Sequence, residues 1–165
     1  MSILRAITSN YIINVGVFSF VLAQILKALL VLITKRKLSL ERLLGAGGMP
    51  SSHAALTSSV AVAVAHKEGI ASPIFGLAIV LAIVVMYDAM GVRRAAGEHA
   101  RLLNRLVIDL PQFSLTSKSS NKKDRVKPPP PTYKELKEFL GHTPLEVLGG
   151  CILGVLIALL LPTPV

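Results

Sequence analysis

The chain has 165 residues, of which 52% are hydrophobic, with a formal net charge of +9 and a mean hydropathy of +0.62. It is too apolar for an ordinary water-soluble domain of this length, and its one cysteine, Cys151, excludes an intrachain disulfide. A basic chain with so much apolar surface points to a membrane and to anionic lipid or phosphate, not to nucleic acid, and its length to a single membrane domain over 1–165.

The first apolar run extends from about Tyr11 to Thr34, enough for a helix to span a bilayer core of roughly 30 Å. It is longer than a signal sequence and lacks a small-residue cleavage site. Gln24 and Lys27 lie inside it, three residues apart and on one helical face. An ionisable residue inside a span is a functional candidate, with snorkelling to the interface as the alternative. The second segment, Ser51 to His66, is short and made of Ala, Ser, Thr and Val, a composition suited to close helix contact and poorly suited to lipid. The third, Pro73 to Met90, is rich in Ile, Val and Leu. Next, Ala95 to Leu110 sets Leu102, Leu103, Leu106, Val107 and Leu110 on one helical face, with Glu98, Arg101 and Arg105 off it. That pattern predicts an amphipathic helix lying in the interface and stopped by Pro111. Residues 111–136 are rich in Ser, Lys and Pro, cannot build a core, and read as a flexible loop. The fourth segment, Pro144 to Leu161, carries Gly150 and Gly154 as a small-xxx-small pair. The expected fold is therefore all-α: an integral membrane bundle of about four transmembrane helices plus one interfacial amphipathic helix.

Four crossings place the 35–50 and 91–143 loops on one side of the membrane. Fifteen of the 18 Lys and Arg residues fall in those two loops, with Arg5 and Lys67 opposite and Lys27 within a span. The positive-inside rule assigns the charged side to the cytoplasm or an equivalent compartment such as a stroma.

Three stretches on that side carry chemistry. GGMPSSHAAL, from Gly47 to Leu56, puts Ser51 and Ser52 where either can cap the second helix, with His53 just inside it. Unpaired N–H groups at a helix start attract anions, and a histidine there can donate a proton to a phosphate ester or attack it. The bland alternative is a capped helix with an interfacial histidine. LGHTPLEVLGG, from Leu140 to Gly150, repeats the arrangement: His142 precedes Thr143 as cap and Pro144 as first helical residue. Glu146, at i+4 from His142, is placed to orient the imidazole and raise its basicity. Two such helix starts on one side make a phosphate-sized anion site with two proton-transfer groups. YDAMGVRRAAGEHARLLN, from Tyr87 to Asn104, adds Asp88 at the end of a span and Arg93 and Arg94 beyond it. Guanidinium groups bind phosphate oxygens bidentately; anchoring at the interface is the competing role. Asp88 is placed to pair with such an arginine. His66 and His99 read as interfacial and surface residues. No histidine pair has tight ligand spacing, so no metal is expected.

Together GGMPSSHAA, VMYDAMGVRRAAGEHARLLN, LGHTPLEVLGG and QILK at Gln24 to Lys27 resemble the divergent branch of the type 2 phosphatidic acid phosphatase superfamily. That branch is also described as acid phosphatase/vanadium-dependent haloperoxidase-related. In the wider superfamily a Pro-Ser-Gly-His motif supplies the general acid; Pro50-Ser51-Ser52-His53 matches it with serine for glycine. A later Ser-Arg…His-x-x-x-Asp motif supplies a phosphate contact, the histidine nucleophile and its orienting acid. His142 and Glu146 match its last part with Glu for Asp, and Arg93 or Arg94 takes the arginine's place if the long loop is an insertion. A Lys-x6-Arg-Pro motif is matched only at Lys27; Thr34 stands where the arginine would, and Arg36 or Arg42 is the substitute.

The resemblance implies a membrane phosphatase acting on a lipid phosphate or pyrophosphate, with neither metal nor cofactor. Lys27, Arg93, Arg94, Ser51, Ser52 and the helix-start N–H groups hold the phosphate. His142, oriented by Glu146, attacks phosphorus to give a phosphohistidine, and His53 protonates the leaving oxygen and then activates water. Asp88 and Gln24 support the site. The rival readings are a non-catalytic phospholipid-binding membrane module, and a small transporter subunit with Gln24 and Lys27 lining a path. Four helices are few for transport, so that role would need a homo-oligomer.

Overall fold

The computed structural model describes residues 3–35, 48–116, 136 and 141–161, all of the regular structure in them helical. In chain order the helices are α1 (Ile3–Thr8), α2 (Tyr11–Lys35), α3 (Ser52–Glu68), α4 (Pro73–Met90), α5 (Val92–Thr116) and α6 (Pro144–Leu160). Local chemistry sets their starts. The Asn10 carboxamide accepts from the N–H of Ile12 and Ile13 ahead of α2, Ser51 caps α3, Ser72 with Pro73 opens α4, and Thr143 with Pro144 opens α6.

Small residues put α3 at the centre. It packs against α2, α4 and α6, and nine of its residues, from Ser52 to Val64, are buried. Its closest partner is α6. A Cβ on Gly150 would overlap the Ser51 carbonyl, and one on Gly154 would overlap the Ala55 carbonyl and Ser58 Oγ, so only glycine permits this approach. Ser58 Oγ lies 2.7 Å from the Ala54 carbonyl and 3.2 Å from that of Cys151, linking the two helices. On the α2 side, Gly16 makes room for Leu56 and Val60.

The helices alternate in direction. At one end Tyr11, Val15, Ala63 and Ala158 cluster, and Tyr11 Oη donates to the Leu161 carbonyl at 3.2 Å. At the other end Ala54, Ala89 and Val147 pack with Met86 and Met90. The second end therefore gathers the starts of α3 and α6 beside the end of α4.

Two stretches, Tyr11–Thr34 and Pro73–Leu106, are long and apolar enough to cross a membrane, and Pro144–Leu160 is a shorter apolar helix. Their outer faces expose large aliphatic side chains, among them Leu77, Val80, Ile83, Leu148 and Leu156. α3, expected as a further crossing, lacks that apolarity, because its Ser, Thr and Ala residues face neighbouring helices and not the exterior.

Two expectations are corrected around α5. The helix begins at Val92, directly after Gly91, and it runs through Pro111 to Thr116. Proline removes one N–H and crowds the preceding turn, but its fixed φ is helical, so Pro111 does not end the helix. Residues 111–116 of the expected flexible loop are thus helical, and 117–135 lie outside the described residues. The apolar face of α5 is open at Leu102, Leu103 and Leu106. Its buried Asn104 exchanges two hydrogen bonds with the backbone of Leu136, at 2.9 and 3.0 Å, fixing where the chain returns.

Candidate active site

The starts of α3 and α6 are joined directly: Ser51 N–H donates to the Glu146 carbonyl at 2.9 Å. His142 N–H donates to the Ala89 carbonyl at 2.9 Å, tying the segment before α6 to the end of α4. Gly141, at φ +86°, lies against the backbone of Arg93 and Arg94, where no side chain fits. Gly48, at φ +102°, lies against Lys27, with the Lys27 Cε 2.9 Å from where a Cβ would stand. Four distant segments therefore converge on one small volume.

His142 is 2% exposed. Its Nδ1 is 3.2 Å from Glu146 Oε2. The same Oε2 accepts from Thr143 N–H at 3.0 Å, completing a capping box that holds the carboxylate rigidly. An ionised carboxylate only accepts, so the proton of a neutral His142 sits on Nδ1 and its lone pair on Nε2. That Nε2 is buried and has no hydrogen-bond partner among the described residues. Burial pushes the imidazole below the ordinary histidine range; the hydrogen bond and charge of Glu146 oppose this without reversing it. His142 is consequently neutral at pH 7, with a free nitrogen pointing away from its own anchor.

The His53 ring lies beside it, with the two centroids 6.3 Å apart and the planes tilted by 58°, so the two imidazoles are neighbours at one end of the bundle. Phe20 of α2 meets the His53 ring edge-on, centroids 6.4 Å apart. Ser51 Oγ accepts from the Ala54 N–H at 3.4 Å and keeps its own O–H as a donor; Ser51 and Ser52 are both buried at the start of α3. Lys27 is 2% exposed, and its charge acts on Glu146, His53 and His142. It is a buried residue of the site, not a snorkelling one. Gln24 stands on the α2 face between Phe20 and Lys27, and its Oε1 is buried without a partner among the described residues.

The two arginines separate. Arg93 Nε pairs with Asp88 Oδ2 at 2.6 Å, and both charges act on His53. Arg94 Nε turns to Glu98 Oε1 at 3.2 Å. Arg93 is therefore the arginine at the rim of the site. His66 and His99 are exposed and contribute nothing to it. Arg36 and Arg42 lie outside the described residues. Among the described residues, no three His, Cys, Asp or Glu side chains group as metal ligands.

Sequence reasoning missed Phe20, Gly48 and Gly141. The glycines carried a signal, since each stands within five residues of a site histidine in a loop before a helix. Phe20 carried none, because one aromatic residue in an apolar span is ordinary.

A helical bundle with two joined helix starts, two neighbouring histidines and an internal lysine at one end defines the class: a helical membrane protein. The chain belongs to the divergent PAP2 family, whose pattern matches residues 8–157. It is 37% identical over 153 residues to the uncharacterized membrane protein YuiD of Bacillus subtilis (strain 168), covering 93% of this chain and 94% of that one. No solved structure matches it.

Proposed function

We propose that this protein is an integral membrane phosphatase that hydrolyses a lipid phosphate or pyrophosphate through a phosphohistidine. The observation that carries this reading is the His142 imidazole: Nδ1 fixed by Glu146, Nε2 buried and unpartnered, His53 facing it. The phosphate binds against both rings, held by Lys27, Arg93 and the N–H groups at the start of α3. Nε2 of His142 forms the bond to phosphorus while the bond to the leaving oxygen breaks, and that oxygen takes a proton from His53. The now neutral His53 accepts a proton from water as the water attacks phosphorus, and the electron pair of the P–N bond returns to His142. The positive side chains and helix-start dipoles stabilise the charge that develops.

In the same reading α2, α3, α4 and α6 cross the bilayer and α5 lies in the interface. Exposed Leu102, Leu103 and Leu106, with Arg101 and Arg105 on the same helix, support that placement of α5. The charge bias of the loops assigns the site to the cytoplasmic or stromal face. A site at that depth meets membrane lipids first, which favours a lipid phosphate over a soluble one.

The test is phosphate release by the purified protein in lipid micelles. The panel contains phosphatidic acid, polyprenyl phosphate and polyprenyl pyrophosphate, with His53→Ala and His142→Ala beside the wild type. Release that falls about a hundredfold in His53→Ala and further in His142→Ala is the expected result. Binding of vanadate with no release would instead support a non-catalytic phospholipid-binding module. That reading has one observation in its favour, the engagement of Arg93 by Asp88 at 2.6 Å.

A pH profile gives an independent check. The nucleophile must be neutral, and burial holds His142 below the ordinary histidine range. The acid limb of kcat/KM that reports this residue is therefore expected below pH 6.5, the unperturbed value. Glu146→Gln removes a group that raises the His142 pKa, so the limb moves to still lower pH while the plateau rate falls. A limb that moves upward in this variant contradicts the pairing.

A further inference from the structure

Gln24 is a polar side chain that the reaction above does not use. It lies one turn along α2 from Phe20, which touches the His53 ring, and three residues from Lys27. These three side chains fall on one arc of the helix, so Gln24 faces the His53 side of the site. Its Oε1 is buried and has no donor among the described residues. Buried amide oxygens are nearly always paired, so this one is open to a donor from beyond the described residues, a molecule bound in the site among them.

The identity of that donor follows from chemistry. A carbonyl oxygen repels the oxygens of a phosphate dianion, so Oε1 does not hold the phosphate. Two species with O–H groups occupy the site: the alcohol released by the first step and the water that replaces it. In an in-line displacement both stand opposite His142 Nε2, on the His53 side of phosphorus.

We propose that Gln24 positions the hydrolytic water of the second step, accepting one of its protons in a hydrogen bond at Oε1 while His53 removes the other. This rests on the phosphohistidine reading. The water oxygen forms the new P–O bond, the P–N bond to His142 breaks with its electron pair returning to Nε2, and inorganic phosphate leaves. Gln24 itself neither gains nor loses a proton. Its effect falls on the loss of the phosphohistidine more than on its formation.

The experiment uses the full chain in mixed micelles with radiophosphorus-labelled phosphatidic acid and polyprenyl phosphate. It measures steady-state turnover, and acid-labile phosphoenzyme trapped during turnover. Gln24→Met keeps the side-chain volume and helix preference but removes the acceptor. Turnover is expected to fall about tenfold, the loss of one hydrogen bond. The trapped phosphoenzyme rises by a similar factor, and the first burst of alcohol is preserved. Gln24→Glu retains an acceptor oxygen at the same reach and keeps the phosphoenzyme near the wild-type level. If Gln24→Met turns over normally, or slows without accumulating phosphoenzyme, the proposal is overturned. If Gln24→Met does not fold, accumulation in Gln24→Glu equally overturns it. Wild-type protein that forms no phosphoenzyme and releases no phosphate overturns the phosphohistidine reading itself, a different result from failure of the variants alone.

Discussion

His142→Gln is expected to lower phosphate release on the order of a thousandfold or more. Glutamine offers an amide that can still meet Glu146, so the α6 start and its capping box remain. It has no nitrogen lone pair able to bond phosphorus, so the covalent intermediate is lost. His53→Ala should behave differently. Its proton is needed in proportion to the basicity of the leaving oxygen, so loss on a lipid phosphate is about a hundredfold, and small on a nitrophenyl ester. The two variants thus separate a nucleophile from a general acid by their response to the leaving group. Phosphate release on both esters, with trapping of the phosphoenzyme, measures this. His142→Gln turning over within tenfold of wild type would remove His142 from the chemistry.

The parts of the site that were legible in the sequence are those built by local contacts. Ser51 and Thr143 cap helices through N–H groups three residues away, and Glu146 reaches His142 across one turn, so each motif contains its own geometry. Gly150 and Gly154 were legible for the same reason, since spacing alone puts them on one face. What depended on how helices turn at junctions was not legible. Arg93 and Arg94 are adjacent and chemically equivalent in sequence; the turn at Gly91 sends one to Asp88 beside His53 and the other to Glu98. Lys27 had two readings until the fold brought Gly48 against its side chain, a contact between segments that share no local pattern. Pro111 reads as a stop because it lacks an N–H and its ring crowds the preceding turn; its fixed φ is still helical, and the helix runs on to Thr116. The Ser, Thr and Ala composition of the Ser51–His66 segment was legible as close helix contact, and α3 is buried among its neighbours accordingly.

Gly154→Ala is expected to destabilise the fold by about 3 kcal/mol or more, with loss of activity although residue 154 is far along α6 from the histidines. One methyl there overlaps the Ala55 carbonyl and Ser58 Oγ, and both belong to the backbone or a hydrogen-bonded hydroxyl of α3. The carbonyl is backbone and cannot rotate away, and turning the hydroxyl breaks its hydrogen bonds, so the helices must separate. Separation stretches the Ser58 contact to the Cys151 carbonyl and tilts the start of α3, which carries His53, against the start of α6, which follows His142. Contrast this with Gly76→Ala. Nothing lies within 4 Å of the Cβ it would add on α4, so the substitution should be neutral or stabilise by up to about 1 kcal/mol through helix preference. Gly149→Ala falls between, since its methyl meets only the flexible end of Met49 at 3.0 Å. The order Gly76→Ala, Gly149→Ala, Gly154→Ala in falling stability, read from unfolding of the purified variants in detergent, tests the α3–α6 contact independently of any substrate. A Gly154→Ala protein as stable as Gly76→Ala would mean that the two helices do not approach as closely as the site requires. The facing of His53 and His142 would then lose the scaffold on which the whole mechanism stands.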